Sequence, residues 1–292
     1  MTARLDESTA DFESHRRRLT GLAYRMLGSL SEAEDIVQEA WLRWHGTDRA
    51  ALREPAAWLS RVVTRLCLDQ MKSARARRET YVGPWLPEPV LGEAALAPDA
   101  ASERAEDISV AFLLALERLS PLERAAFLLH DVFEMDFADV ARTLDREEPA
   151  CRQLASRART HLKSARTRFA VPQEEGERLV RAFLVAAGNG DTDAFARLLT
   201  ADAALHSDGG GKRLAALNVI NGRDRVARFF IGITRKGHWP SWRIRPESVN
   251  GMPGLVMTDP DGEVQTVAFQ IADGAISAIY IVRNPDKLRH LA

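Results

Sequence analysis

The chain has little cysteine, no long apolar run and almost no net charge. Cys67 and Cys151 are the two cysteines among 292 residues, so neither a disulfide framework nor a zinc site is expected. No apolar stretch approaches the roughly 18 residues of a membrane span, and the N-terminus lacks the apolar core of a signal peptide. We therefore expect a cytoplasmic protein with no membrane partner. The formal net charge is −1, so nucleic-acid binding would require local basic patches.

Residues 121–168 carry such a patch on a pattern typical of a helix-turn-helix. Asp136 is placed to cap a short helix over 137–144, residues 145–147 form a turn, and Pro149 fits the first turn of the next helix. Apolar residues of this last helix recur every three or four positions, so one face packs and the other is exposed. Its basic residues are Arg152, Arg157, Arg159, Lys163, Arg166 and Arg168, without an acidic residue between them. A basic helix is often only a solvated surface, but this turn chemistry favours recognition of the DNA major groove.

Residues 11–78 predict three helices, of which the second and third carry clustered charge. Gly28 ends the first helix, and Ser31 with Glu34 forms a capping-box signature for the second. The second helix is acidic on one side and Trp-edged on the other, a pattern shared by solvated faces and by helices that dock on a basic partner. The third helix ends in a basic cluster, which comprises Lys72, Arg75, Arg77 and Arg78. The helix dipole accounts for part of this charge, and the excess suits contacts to DNA phosphates.

The sequence changes character twice after the third helix. Residues 80–107 are rich in Pro, Ala and Glu and predict a tether between helical domains, although Trp85 and Leu86 indicate that part of it docks. From Val171 onward two helices and then strands are predicted, with a further helix over 223–233. The predicted strands cover 203–207, 214–219, 242–249, 255–258, 264–271 and 275–282, and Asp273-Gly274 is a hairpin signal. Helices followed by a curved antiparallel sheet make an α+β domain, and this pattern resembles the SnoaL-like (polyketide-cyclase-type) cone fold, whose sheet wraps a pocket.

Two short motifs occur in this C-terminal domain. Asp208-Gly-Gly-Gly-Lys212 holds consecutive glycines, which let backbone amides approach a phosphate closely. Because the context of a P-loop is missing, nucleotide binding is not expected. Asn284-Pro-Asp-Lys-Leu288 forms a turn after the last strand, and we expect this tail to dock.

Several of these motifs together resemble a bacterial extracytoplasmic-function sigma factor. The resemblance runs from about residue 12 to residue 168 and rests on AEDIVQEAWLRW, the helix that begins PAAWLSRVV, and the helix-turn-helix. WLPEP, DGGGK and NPDKL resemble the motifs of the subgroup that carries a SnoaL-like C-terminal extension. The resemblance implies two all-α sigma domains, the second a helix-turn-helix, followed by an α+β SnoaL-like domain. The implied boundaries are 1–79 for sigma region 2, 80–107 for the linker, 108–170 for sigma region 4 and 171–292 for the regulatory domain.

The resemblance also implies partners and roles. In that family the first domain binds the clamp of the polymerase's largest subunit and melts and reads the −10 element, while the second reads the −35 element. The implied polymerase contacts are Asp35, Gln38, Glu39 and Trp41. The implied −10 contacts are Trp58, Arg61, Arg65, Lys72, Arg75, Arg77 and Arg78. The implied −35 contacts are Arg146, Arg152, Gln153, Ser156, Arg157, Arg159 and Lys163. Glu147 departs from the pattern, because a Ser or Thr cap is expected there.

Regulation of transcription by the C-terminal domain is a further implication. The residues involved would be Trp85, Leu86, Pro87, Glu88, Pro89, Asp208, Gly209, Gly210, Gly211, Lys212, Asn284, Pro285, Asp286, Lys287 and Leu288. We expect the C-terminal domain to contact the sigma unit through these three motifs, with Lys212 meeting Glu88. Core RNA polymerase and promoter DNA are the expected partners, and a small molecule in the C-terminal pocket is a further candidate. No catalytic residue, metal or cofactor is assigned.

Two other functions stay open. A cyclase or isomerase fused to a DNA-binding unit would use Asp and His side chains in the pocket of the cone fold, for which His206, Asp208 and His238 are the candidates. Fold alone is not evidence for chemistry, however. A ligand-sensing repressor would bind DNA without polymerase, but it has no use for the acidic Trp-edged helix or for the second basic helix.

Overall fold

The computed structural model describes residues 2–48, 52, 54–92, 108–163, 172–236 and 241–291, with the backbone alone at 2–8, 73–79, 173 and 235–236. Contacts divide the chain into two compact units. The helical unit comprises Met1–Glu79, Ala94–Ile108 and Phe112–Arg166, and the sheet unit comprises Thr80–Glu93, Ser109–Ala111 and Thr167–Ala292. Residues 80–92 of the predicted tether therefore belong to the sheet unit. Within the described ranges, every helix is too short or too polar to cross a membrane.

The first half of the helical unit is formed by α1 (Thr2–Leu27), α2 (Leu30–His45) and α3 (Pro55–Glu79). Their apolar faces meet in a core that includes the fully buried Trp44. Gly28 has a φ of +70°, and after it the Ser29 hydroxyl accepts the Glu32 amide hydrogen at 3.2 Å. Ser29 is thus the N-cap of α2, and the capping role predicted for Ser31 was wrong because that residue already lies inside the helix.

The second half of the helical unit consists of α4 (Val110–Leu116), α5 (Pro121–Phe127), a π-helical turn (Leu128–Val132), α6 (Phe137–Leu144) and α7 (Glu148–Leu162), although the first two residues of α4 are grouped with the sheet unit. Asp136 occupies the predicted N-cap position of α6, but its side chain makes no capping hydrogen bond, and Asp145 ends that helix with a left-handed φ of +54° that Asp tolerates. Pro149 lies in the first turn of α7. A capping box of Ser120 and Glu123 starts α5, which is a sequence signal that the predictions did not use.

The sheet unit contains α8 (Gln173–Asn189), α9 (Thr192–Arg197), β1 (Leu199–Asp208), β2 (Ile220–Asn221), α10 (Arg223–Lys236), β3 (Arg243–Val249), β4 (Met252–Thr258), β5 (Val264–Ala272) and β6 (Ala275–Val282). The strand order is β2-β1-β6-β5-β4-β3. The predicted all-antiparallel sheet was wrong at one pairing, because β6 returns parallel to β1 after α10 and three further strands. The predicted strand over 214–219 was also wrong: these residues form a loop, and only β2 pairs with β1.

Aromatic side chains from helices and sheet fill the core of the sheet unit. The Phe183 ring centroid lies 5.0 Å from that of Phe195, 5.1 Å from that of Phe230 and 4.8 Å from that of Phe269. Asp273 and Gly274 both have positive φ values, +52° and +73°, as the predicted hairpin turn requires. The predicted fold class, two helical domains followed by an α+β sheet domain, is confirmed.

Candidate functional site

One face of α7 carries the residues predicted to read the −35 element. The exposed set comprises Arg146 in the preceding turn, Arg152, Gln153, Ser156, Arg157, Arg159 and, directly after the helix, Lys163. The opposite face packs through the buried Cys151, Ala155, Ala158 and Leu162. Glu147 is the N-cap, but its side chain makes no hydrogen bond to the helix, which agrees with the weak cap expected of Glu. The described helix thus has one packed face and one polar, mostly cationic face.

Two arginines of this face have partners inside the helical unit. Arg152 Nη2 lies 2.6 Å from Glu148 Oε1, and its guanidinium carbon lies 4.6 Å from the Phe137 ring centroid. Arg159 forms two hydrogen bonds with Asp131, at 2.7 and 3.1 Å. Exposed pairs of this kind contribute about 0–1 kcal/mol, so DNA can compete for these guanidinium groups. Because Arg159 is held by both carboxylate oxygens, it is the less available of the two.

The −10 candidates on α3 have several environments. The Trp58 ring packs against Trp44, with centroids 5.8 Å apart, so this tryptophan is part of the packing between α2 and α3. Arg65 is exposed, yet its Nε donates to the Thr143 carbonyl oxygen of α6 at 3.3 Å. A promoter contact by Arg65 would therefore require this hydrogen bond to break.

The remaining −10 candidates lie on either side of that contact. Arg61 is half-buried, and its buried Nε makes no hydrogen bond with the described residues. Lys72 is exposed and pairs with Asp69 at 2.8 Å. The predicted cluster at the end of α3, Arg75, Arg77 and Arg78, lies in the helix, but its side chains lie outside the described residues.

The predicted polymerase contacts lie on α2. Asp35 and Gln38 are exposed, whereas Glu39 and Trp41 are half-buried. Glu39 pairs with Arg43 one turn later at 3.0 Å, and the Trp41 ring packs against Phe12, with centroids 5.1 Å apart. An acidic surface edged by tryptophan is therefore present on α2.

A buried arginine joins the two halves of the helical unit. Arg124 of α5 is 1% exposed, donates to the Met26 carbonyl oxygen at the end of α1 at 2.6 Å and pairs with Glu117 at 2.7 Å. Burial lowers the pKa of the Arg124 guanidinium, and the carboxylate and carbonyl acceptors offset that desolvation. Arg18 adds a second link by donating to the Phe133 carbonyl oxygen at 2.9 Å.

The three sequence motifs meet in the sheet unit around Asp208. We call this cluster the linker junction, which consists of residues 81–91 of the linker, the loop 208–212 and the tail 284–290. Asp208 is fully buried. One of its oxygens accepts from the Tyr81 hydroxyl at 2.5 Å and the Gly210 amide at 3.0 Å, and the other accepts from the Leu86 amide at 2.9 Å and the Lys287 ammonium at 2.7 Å. Four donors satisfy the buried carboxylate, so Asp208 ties linker, loop and tail together.

The predicted partner of Lys212 was wrong. Lys212 Nζ pairs with Asp286 of the tail, and this hydrogen bond holds the pKa of Asp286 below its usual value. Glu88 is buried, and its Oε1 lies 4.0 Å from His290 Nδ1. His290 Nε2 in turn lies 2.8 Å from the Pro89 carbonyl oxygen. Glu88 therefore faces the last turn of the tail and not the glycine loop.

Apolar and glycine residues complete the linker junction. Leu86 is fully buried, and Lys287 Nζ lies 4.3 Å from the Trp85 ring centroid, so both linker residues dock within the sheet unit. A Cβ on Gly210, whose φ is +59°, would lie 2.2 Å from Asn284 Nδ2. Glycine is thus required where the loop meets the tail. Pro87, Pro89 and Leu288 are buried, and Pro285 is half-buried.

Two residues that hydrogen-bond within or to the linker junction, Tyr81 and Asn250, were missed by the sequence predictions. Asn250 Oδ1 accepts the Val90 amide hydrogen at 3.2 Å, and the Asn250 amide donates to the Val90 carbonyl oxygen at 2.8 Å. Asn250 precedes Gly251 between β3 and β4, a hairpin signal that could have drawn attention to it. Tyr81 was the other omission; burial, and next the Asp208 carboxylate, raise the pKa of its hydroxyl.

A cavity of about 430 Å³ lies in the sheet unit, lined by aromatic and aliphatic side chains and three polar ones. Neither of the two described candidates for catalysis, His206 and Asp208, lines this cavity. Asp208 is occupied in the linker junction, and His206 packs against Tyr280 with ring centroids 5.1 Å apart, outside the cavity lining. His238 lies outside the described residues.

Comparison with known proteins gives matches over the helical unit and over the whole chain. The family described as Sigma-70 region 2 matches residues 12–77, and the family described as Sigma-70, region 4 matches residues 109–162. The ECF RNA polymerase sigma factor SigJ of Mycobacterium tuberculosis (strain ATCC 25618 / H37Rv) is 40% identical over 95% of this chain and 92% of SigJ. The probable ECF RNA polymerase sigma factor SigI of the same strain is 32% identical over 97% of this chain and 95% of SigI. The crystal structure of Mycobacterium tuberculosis SigJ matches with a TM-score of 0.77 at 38% identity, covering 96% of this chain and 98% of that chain.

Proposed function

We propose that this chain, which belongs to the extracytoplasmic-function sigma factors of RNA polymerase, directs the core enzyme to specific promoters in the cytoplasm. The observation that carries this proposal is the exposed face of α7, on which Arg152, Gln153, Ser156 and Arg157 project away from the packed side. Arginine and glutamine are side chains that read guanine and adenine edges in the major groove. We assign this face to the −35 element.

The first half of the helical unit has two functions in this proposal, binding to core RNA polymerase and binding to the −10 element. The acidic, Trp-edged surface of α2 suits a basic site on core RNA polymerase, in keeping with its match to Sigma-70 region 2. The basic end of α3 suits the phosphates of the −10 element. A repressor that binds DNA alone would need neither surface, and for this reason the polymerase-dependent function is favoured over that alternative.

We further propose that the C-terminal domain regulates initiation through the linker junction. In the described state α3 and α6 touch through Arg65 and Thr143, and α1 and α5 touch through Met26 and Arg124. The −10 and −35 elements, by contrast, lie about 25 base pairs apart, or roughly 85 Å along B-DNA. The two DNA-binding halves must therefore separate, and a linker held by Asp208 would oppose their separation.

The test of regulation is in vitro transcription with core polymerase and the cognate promoter. Full-length protein is compared with a chain lacking 284–292 and with a chain that ends before Val171. We expect deletion of the tail to raise transcription because the linker is released. We expect removal of the whole domain to impair transcription because the domain also helps to hold the active arrangement. Identical activity of all three proteins would contradict regulation by this domain.

The test of promoter reading compares two exposed arginines of the helix-turn-helix. Arg157→Ala should weaken promoter-specific binding by about 1–3 kcal/mol if the side chain contacts a base in bidentate fashion. Arg142→Ala is the matched control, because Arg142 is an exposed arginine of α6 that pairs with Asp139. An equal loss of affinity on promoter DNA and on random DNA would mean that Arg157 touches only phosphates.

A small molecule is the third partner that we propose. The cavity of the sheet unit lies within the usual size range of small-molecule sites, about 300–1,000 Å³. Residues 214–216, which line the cavity, follow residues 208–212 of the linker junction in the same loop. A ligand bound in the cavity is therefore placed to regulate transcription through the linker junction.

A further inference from the structure

The cavity of the sheet unit has an apolar body and one polar end. Aromatic rings of Phe183, Phe229, Phe230 and Trp242 supply much of its surface, together with Met257, Val267 and Ile281. Its polar lining consists of Ser207, Gln265 and Arg283. A site of this composition holds the apolar part of a ligand by burial and fixes its orientation through a few polar contacts.

The polar groups of the lining have hydrogen-bonding capacity. Ser207 is 4% exposed and lines the cavity, and its hydroxyl can both donate and accept a hydrogen bond. Gln265 Nε2 donates to the Met257 sulfur at 3.5 Å, which is a weak acceptor. Both side chains therefore offer a donor and an acceptor to a ligand that enters the cavity.

Arg283 supplies a positive charge at the same site. Its guanidinium donates to the Leu214 carbonyl oxygen, but it has no ion pair among the described carboxylates. Burial, and then the nearby Arg213, lower the pKa of Arg283, and the Asp259 carboxylate, which forms no salt bridge with it, acts in the opposite direction; a guanidinium stays charged at neutral pH. Arg213 differs, because it pairs with Glu263. A half-buried, unpaired guanidinium beside apolar surface favours an anionic ligand group, and a carboxylate matches its geometry.

An apolar side chain at the rim of the cavity is exposed to solvent. Leu214 lines the cavity and is 87% exposed, although apolar side chains of this size gain stability when they are covered. It belongs to the loop that was predicted as a strand, and its neighbours Ala215 and Ala216 line the cavity as well. An apolar ligand chain would cover this part of the loop.

We propose that the cavity binds an amphipathic carboxylate, with its apolar chain among the phenylalanines and its carboxylate on Arg283. We propose also that this ligand stabilises the linker junction, and this second part rests on the regulatory function proposed for the junction. The loop 209–217 connects the two sites, because residues 214–216 line the cavity while Gly211 and Leu217 lie near the linker.

The contacts of the loop support this coupling. A Cβ on Gly211 would lie 3.3 Å from Val82, and a Cβ on Gly83 would lie 3.8 Å from Leu217. The Arg283 amide donates to the Asp208 carbonyl oxygen at 2.7 Å, so the residue that would hold the carboxylate is also bonded to the centre of the junction. A ligand that packs the loop would thereby hold residues 82 and 83 in place.

The binding test uses the full chain, sodium decanoate and its uncharged counterpart decan-1-ol, with isothermal titration calorimetry below the micellar concentration. Decanoate should bind more tightly than decanol by about tenfold or more, because a hydrogen-bonded charge pair adds at least that factor. Arg283→Gln should remove this difference and leave decanol unchanged. Arg213→Gln, the matched control, should preserve it. Ala216→Phe should weaken both probes because its ring fills the cavity.

Several outcomes would overturn the binding site. These are no decanoate binding, equal affinities of the two probes for the unmodified chain, unchanged decanoate affinity in Arg283→Gln, or unchanged affinities in Ala216→Phe. Circular dichroism of each variant verifies the fold, and decanol binding by Arg283→Gln reports an intact cavity independently.

The coupling is tested by amide hydrogen exchange of residues 81–91. Decanoate should slow exchange there in the unmodified chain, but not in Arg283→Gln at the same concentration. Bound decanoate with unchanged exchange in this segment would overturn the coupling. Neither assay contains polymerase or DNA, so a failure here is distinct from a failure of the regulatory function in the transcription assay.

Discussion

Asp208→Asn should release the linker from the sheet unit while hardly changing the shape of the side chain. Each carboxylate oxygen accepts two hydrogens, one pair from Tyr81 and Gly210 and the other from Leu86 and Lys287. In Asn an amino group replaces one oxygen, so two donors lose their acceptor in either orientation of the amide. The Lys287 side chain is also largely buried and loses its counter-charge. Breaking a buried pair of this kind costs about 3–5 kcal/mol.

The matched control is Asp286→Asn in the tail of the same junction. Asp286 is a partly exposed carboxylate whose partners, Lys212 and Arg289, are themselves exposed. Such a pair contributes about 0–1 kcal/mol, so this variant should change the linker little. Tyr81→Phe is the intermediate case, because it removes one of the four donors and keeps the charge of Asp208.

Amide hydrogen exchange at Leu86 measures the effect directly, since its N–H is bonded to Asp208. A loss of 3–5 kcal/mol corresponds to exchange that is faster by about 150- to 4,000-fold, up to the limit of an unstructured peptide. The Asp286 variant should stay within about fivefold of the unmodified protein. Equal exchange at Leu86 in the two Asn variants would refute the argument that the buried carboxylate holds the linker.

The remaining predictions concern other contacts of both units. Replacing Arg75, Arg77 and Arg78 with Gln should flatten the salt dependence of promoter-complex formation, because phosphate contacts release counterions. If the slope of affinity against salt concentration is unchanged in binding titrations, these three arginines do not contact DNA phosphates. Arg124→Met should destabilise the helical unit by about 3–5 kcal/mol, measured by urea denaturation, because the carboxylate and carbonyl that it holds lose their partner. Gly210→Ala should speed exchange in residues 81–91, because its Cβ would lie 2.2 Å from Asn284; unchanged exchange would mean that the tail can move aside at little cost.

Local signals in the sequence predicted local structure well. Pro149, Asp136 and the turn at 145–147 fixed the helix-turn-helix boundaries, because each acts through the backbone of its own neighbourhood. The Ser31 cap failed because Ser29 offers the same chemistry two residues earlier, next to a glycine with positive φ. Where two equivalent signals overlap, spacing alone does not choose between them.

Partners distant in sequence were not predictable in this way. Lys212 has several acidic residues within reach of a flexible chain, and only the fold selects Asp286, 74 positions away. Residues 214–219 were predicted as a strand because a short apolar run is consistent with one. They are apolar because part of the loop lines a cavity. Likewise, the role of Asn250 depends on a linker residue 160 positions away.

The linker junction also imposes an order on synthesis. His290 binds the Pro89 carbonyl oxygen across 201 residues of chain, and ribosomes add about 5–20 residues per second. The tail therefore leaves the ribosome about 10–40 s after the linker segment that it secures. Within that interval the second DNA-binding half, which follows the linker in the chain, is completed, while residues 81–91 still lack their tail contacts. Each newly made molecule thus passes through a period in which the tail does not yet hold the linker. A chain that ends before the tail never forms these contacts.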